Sequence, residues 1–152
     1  MKKILLYTFR TFPRIGELSE LNTELFVFGK LKEDLPKFLE MLKNLQPDII
    51  IGIAKSTSNI SRFETKAVNI FNKTKKVSKD GREYYSLNYP SGGYGNIKVN
   101  NSYTDSFCNW TMYKIAENTK VKHQFVHMAK SGMKDFIEYL SVGQGIPPAR
   151  SE

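Results

Sequence analysis

The chain is poor in the residues that cross-link or hold metals. Among its 152 residues there is one cysteine, Cys108, so no internal disulfide can form. A single thiol suits a reducing compartment, and the expected location is the cytoplasm. Histidine is nearly as scarce, with two residues, His123 and His127. Three Cys and His residues in all cannot complete a Cys/His zinc site, so no metal is expected. Long apolar runs are missing too, and nothing approaches the ~18 residues of a membrane span. The run from Ile4 to Phe9 imitates a signal peptide for a few residues. It is too short, and Arg10, Pro13 and Arg14 stand where a small-residue cleavage site would be. It reads as a buried first strand. Acidic residues are outnumbered 15 to 23, for a net charge of +8. The basic residues are dispersed, apart from Lys73, Lys75, Lys76 and Lys79 beside the turn signal Asp80-Gly81. A solvated hairpin explains that cluster more simply than a nucleic-acid site. A basic nucleic-acid-binding module stays as the weakest alternative, and it would bind with a steep salt dependence.

What is present is a globular composition, 40% hydrophobic and 25% charged, of a length that suits one core. Strands are expected at 4–9, 24–31, 49–53, 62–71, 97–102 and 121–128. Helices are expected at 34–45, 108–117 and 130–140, where apolar residues recur at helical spacing. Asp34 is placed as the cap of the first helix, with Pro36 tolerated in its opening turn. Residues 11–22 read as a loop. The β-branched run Ile49-Ile50-Ile51-Gly52-Ile53 suits a central parallel strand covered on both faces. Strands alternating with helices predict an α/β fold, a three-layer sandwich whose mostly parallel central sheet is flanked by helices. One domain is expected over 1–142, followed by a loosely held tail over 143–152.

Cys108 stands in Ser106-Phe107-Cys108-Asn109-Trp110-Thr111-Met112-Tyr113, where a strand pattern gives way to a helical one. A lone thiol at such a junction, with a histidine and an acid elsewhere, can be read as nucleophile, base and orienter. His127 is the candidate base and Glu64 the candidate orienter. The competing reading is plain packing, because free cysteine is among the most buried residue types. His123 is the rival base, but Lys120 and Lys122 beside it suggest an exposed strand start. For attack, the thiol pKa would have to fall below its usual value of about 8.5. A helix N-terminus and an imidazolium neighbour are the two devices available.

Several of these segments resemble the pyroglutamyl peptidase I (pyrrolidone-carboxylate peptidase) family of cysteine peptidases. Pro47-Asp48-Ile49-Ile50-Ile51-Gly52 is similar to the family's Pro-Asp strand. Glu64-Thr65-Lys66-Ala67-Val68-Asn69 keeps its Glu, small residue and Asn spacing. Phe107-Cys108-Asn109-Trp110-Thr111-Met112-Tyr113 resembles its cysteine segment, with Trp110 in place of a His, and Phe125-Val126-His127 resembles the strand end carrying its histidine. Phe9-Arg10-Thr11-Phe12 is similar to a loop whose two aromatics contact the substrate ring. The resemblance implies a phosphorylase/hydrolase-like sandwich, a Cys108, His127 and Glu64 triad, and no cofactor. It also implies a peptide substrate with an N-terminal pyroglutamyl residue, substrate contacts from Phe9, Phe12, Lys55 and Asn69, and an open possibility of homo-oligomers. The chain departs from the family in its shorter length. Ala54-Lys55-Ser56-Thr57-Ser58 replaces a glycine-rich loop, and Thr74 stands where an arginine is expected near the oxyanion. These changes keep two alternatives open, a hydrolase of another small acyl amide and a non-catalytic binding protein on the same fold.

Overall fold

The apolar strand runs assemble into a six-stranded sheet in the order β2-β1-β3-β8-β4-β7. In the computed structural model, which describes residues 2–143, these strands are β1 (Ile4–Phe9), β2 (Glu24–Phe28), β3 (Ile49–Lys55), β4 (Ser61–Glu64), β7 (Ile97–Asn100) and β8 (Lys122–Met128). The tail expected over 143–152 lies, past Gly143, outside the described residues. Strands β2, β1, β3 and β8 run parallel. Strand β4 is antiparallel to β8 and parallel to β7, so the sheet is mostly parallel, as the sequence predicts. The short strands β5 (Lys66–Val68) and β6 (Tyr84–Ser86) form a separate antiparallel pair.

Side chains alternate across a strand, so each strand feeds two cores. Leu5, Tyr7 and Phe9 of β1, Ile50 and Ala54 of β3 and Phe125 of β8 pack with helices α2 (Leu31–Leu45) and α3 (Phe107–Asn118). Ile4 and Leu6, Ile51 and Ile53, and Val126 and Met128 pack on the other face with α1 (Ile15–Ser19) and α4 (Met133–Gly143). Helices on both faces complete the three layers. Phe28, Phe38 and Phe125 are fully buried in the α2/α3 layer. Each such burial contributes about 1.5–3 kcal/mol. Among the described residues, no helix is long and apolar enough to cross a membrane.

Local details differ from the sequence reading. The 11–22 segment contains the short helix α1, held by Arg14, whose guanidinium donates to Glu17 Oε1 (2.9 Å) and to the carbonyl of Lys130 (2.9 Å). Helix α2 begins three residues before Asp34, with Lys30 as its N-cap. Asp34 therefore lies inside the first turns, where its carboxylate reaches back to accept from the N–H groups of Gly29 (2.7 Å) and Lys30 (3.0 Å). Those bonds and the neighbouring Lys37 hold its pKa below the ordinary value, the Gly29 bond most of all. Pro36 is thus interior to the helix rather than in its opening turn, on its exposed side. Asp80-Gly81 is not a hairpin apex. It sits in the long 69–83 connection between β5 and β6, where Gly81 N–H donates to the Ser78 carbonyl.

The α2/α3 core contains a crossing that only glycine permits. The Tyr7 ring passes over Gly52 of β3, and a Cβ there would fall inside van der Waals contact of Tyr7 Cζ and Phe125 Cδ2. Tyr7 thereby reaches β8, where its hydroxyl meets His123 Nε2 at 2.8 Å. His123 is buried, contrary to its expected exposure, because the Tyr7 ring packs against it. Its Nδ1 has no hydrogen-bond partner among the described residues.

Burial pushes the His123 pKa down to about 3. An unfolded histidine titrates near about 6.5. Below that pH the unfolded chain takes up a proton that the folded chain refuses. The stability contribution is full above pH ~6.5 and is lost as pH falls towards the folded value, at roughly 1.4 kcal/mol per pH unit. Urea unfolding of the wild type and His123→Gln at several pH values between 7.5 and 4.5 should show a steeper acid decline in the wild type. Parallel declines would rule out His123 as the source.

Candidate active site

Helix α3 starts at Phe107, with Ser106 as an extended N-cap, and Cys108 is its second residue. Its first-turn N–H groups have no intrahelical acceptors and form the positive end of the helix. Asn109 fixes this turn. Its side chain accepts from Val68 N–H (2.9 Å) and donates to the carbonyls of Val68 (2.9 Å) and Ile70 (2.8 Å). The α3 N-terminus is thereby bound to the strand that follows Glu64. The preceding segment is braced as well, since Asn72 N–H donates to the Asp105 carbonyl (3.1 Å).

Cys108 is 4% exposed and packs in the same layer as Phe9, Ala54 and Phe125. Burial pushes its thiol up to about 12, a hydrogen bond from Ser106 opposes this, and the Glu64 charge adds to it. This corrects the expectation of a lowered thiol pKa, because desolvation outweighs the helix end.

Glu64 ends β4 and His127 lies near the end of β8. Their antiparallel register pairs Arg62 with His127 and Phe63 with Val126. Phe63 and Val126 face the α1/α4 core, so Glu64 and His127 share the opposite face with Cys108. Glu64 Oε2 meets His127 Nδ1 at 2.9 Å, with Glu64 buried and His127 partly so. That contact places the imidazole proton on Nδ1 and leaves Nε2 as acceptor, a tautomer inferred from the partner. Nε2 has no hydrogen-bond partner among the described residues. The other Glu64 oxygen accepts from Asn100 Nδ2 at 2.8 Å, a contact that sequence reading missed. Only the parallel β4–β7 register, which sets Glu64 opposite Asn100, brings the two together.

The residues expected to contact substrate divide. Phe9 packs in the Cys108 layer, and its ring meets Phe107 edge-on at 5.1 Å. Phe107 itself is 41% exposed and was not singled out from sequence. Phe12 goes to the opposite core. A tight turn, Phe12 N–H to Phe9 carbonyl (2.8 Å), follows the C-terminal end of β1, and the ring is buried on the α1/α4 side. Asn69 is also withdrawn. Its amide donates to the Ser78 carbonyl (2.7 Å) and accepts from Ser78 N–H (2.8 Å), stapling the 78–81 turn. Lys55 is the exposed last residue of β3 and by alternation follows Ile53, not Ala54, away from the Cys108 face. A polar cleft of about 850 Å³ lies elsewhere, at the start of β8, lined by Arg82, Asn88, Lys120 and His123 among others. It includes none of Cys108, His127 and Glu64.

No family model matches the chain, and no curated protein matches it. Solved structures do. A pyrrolidone carboxyl peptidase from Thermococcus litoralis superposes with a TM-score of 0.69 at 18% identity, over 99% of this chain and 86% of that one. A mutant pyrrolidone carboxyl peptidase from Pyrococcus furiosus gives 0.67 at 18%, over 98% and 90%. Pyroglutamyl peptidase I from Bacillus amyloliquefaciens gives 0.64 at 19%, over 99% and 89%. Identity is low, but the agreement runs through nearly the whole length. The chain has the fold of the pyrrolidone carboxyl peptidases, in a divergent form.

Proposed function

We propose that the protein is a cysteine peptidase that removes an N-terminal pyroglutamyl residue from peptides. The observation that carries this reading is the Glu64–His127 hydrogen bond, formed on the same sheet face as the helix turn bearing Cys108. The shared fold with pyrrolidone carboxyl peptidases supports the substrate class.

In this mechanism His127 Nε2 accepts the Cys108 proton as Sγ attacks the scissile carbonyl carbon. Burial raises the thiol pKa, which favours proton transfer to His127 during attack over a thiolate formed beforehand. In this mechanism the first-turn N–H groups of α3 receive the developing oxyanion. Glu64 stabilises the imidazolium and keeps its tautomer. His127 then protonates the leaving amine, which departs and leaves a thioester on Cys108. Water, deprotonated by His127, attacks the thioester, and Sγ leaves as the acid is released. The exposed ring of Phe107 offers an apolar face to the uncharged lactam ring, with the buried Phe9 packed edge-on behind it.

The withdrawal of Phe12 and Asn69 favours a second reading, a hydrolase of another small acyl amide using the same three residues. Rates on pyroglutamyl and prolyl chromogenic amides separate the two. Selective cleavage of the pyroglutamyl amide is expected. Equal rates, or a preference for prolyl, would discard the pyroglutamyl assignment.

A further inference from the structure

We propose that Asn100 is a positioning residue for the Glu64–His127 pair, an inference that rests on the triad reading above. Glu64 is buried, and its terminal torsion is an sp³–sp² rotation with a broad preference. Its carboxylate plane must therefore be set by neighbours. One oxygen meets His127 Nδ1 (2.9 Å), and the other accepts from Asn100 Nδ2 (2.8 Å).

The Asn100 amide cannot serve in the reverse sense. Ser102 N–H donates to Asn100 Oδ1 (3.0 Å), and a backbone N–H can only donate. The oxygen therefore faces Ser102, and the NH₂ faces Glu64. The residue is itself held, since Thr65 Oγ1 donates to the Asn100 carbonyl (2.9 Å) and the β4–β7 ladder sets it opposite Glu64. One side chain thus orients the carboxylate that orients the imidazole. Without it, Oε1 is left buried and unpaired, the carboxylate can rotate, and His127 Nδ1–H loses its fixed acceptor.

The test uses two variants of the full chain. Asn100→Ala should lower kcat by about 10-fold with little change in KM, because acid–base geometry and not binding is disturbed. Asn100→Asp carries its own signature. Ionised, it repels Glu64. Protonated, it can donate an O–H to Glu64 Oε1 and restore the bond. The ratio of Asn100→Asp to wild-type kcat should therefore rise as pH falls. A ratio independent of pH, or a KM change with kcat preserved, would overturn the proposal. A second readout needs no substrate. The far-downfield proton NMR signal of His127 Nδ1–H, assigned by its absence in His127→Ala, should broaden or vanish in folded Asn100→Ala. Its persistence unchanged would overturn the proposal. Should the wild type cleave no pyroglutamyl amide, that signal still decides the role of Asn100, so the two readings fail separately.

Discussion

Cys108→Ala should abolish hydrolysis, with a loss of roughly 10⁴-fold or more in kcat while the folded state survives. In the proposed reaction Cys108 forms the covalent intermediate, so nothing nearby replaces it. Among the described residues Cys108 is the one cysteine, and the neighbouring Ser106 hydroxyl already hydrogen-bonds it. His127→Ala should cost a similar amount. The double variant should be little worse than either single variant, because base and nucleophile act as one unit. Turnover of the pyroglutamyl amide, with circular dichroism to confirm folding, measures all three. Substantial activity in folded Cys108→Ala would end the cysteine-peptidase reading. The thiol pKa adds a second expectation for the same residue. A pre-formed thiolate would make alkylation by iodoacetamide level off near neutral pH. A thiol pushed up to about 12 should instead alkylate slowly at pH 7, with a rate still climbing beyond pH 9. A plateau near neutrality would mean an ion pair formed before substrate arrives, and the concerted step would have to be rewritten.

The largest effect on stability is expected at Gly52. A methyl group there collides with the Tyr7 and Phe125 rings, both fully buried and both wedged among further aromatics. Neither ring can swing into solvent as a flexible chain would. Overpacking of this kind costs about 3 kcal/mol. For a domain of this size that corresponds to a fall of roughly 10 °C in Tm. Urea and thermal unfolding of Gly52→Ala measure it. A loss under ~1 kcal/mol would show that Tyr7 has an alternative path. Since the displaced Tyr7 also bonds His123, the variant should carry a second symptom, weaker protection of His123 from protonation. The acid decline described above should therefore become shallower in Gly52→Ala.

Strands β1, β3 and β8 were readable because each side-chain position carries its own signal, whereas the strand expected over 62–71 splits into β4 and β5 of different sheets and the one expected over 24–31 ends at Phe28. The isoleucine run of β3 can sit nowhere but between two layers, and β1 begins and ends where its apolar run does. The helices were readable from spacing, though not their first turns. Helix α2 starts early because Asp34 reaches backwards to Gly29 and Lys30, a bond that sequence order alone presents as a forward cap. Helix α1 was missed because five residues carry too little periodicity to stand out from a loop.

The candidate site was legible to a different depth. Cys108, His127 and Glu64 stood out as the single thiol, one of two imidazoles and a carboxylate in a recognisable segment, and the structure sets all three on one sheet face. Which surrounding residues join them was decided by the fold. Phe12 and Asn69 lie in matching segments, yet a turn hydrogen bond sends one to the far core and a backbone staple occupies the other. Asn100 had no sequence signal, because its importance comes from strand register 36 residues away from Glu64. The raised thiol pKa has the same origin, since burial is a property of packing and not of a helix end. Local patterns of apolar and reactive residues specify the layered α/β order and the chemical types available. Tertiary structure alone decided partners, exposure and charge state, because these depend on which distant strands lie side by side.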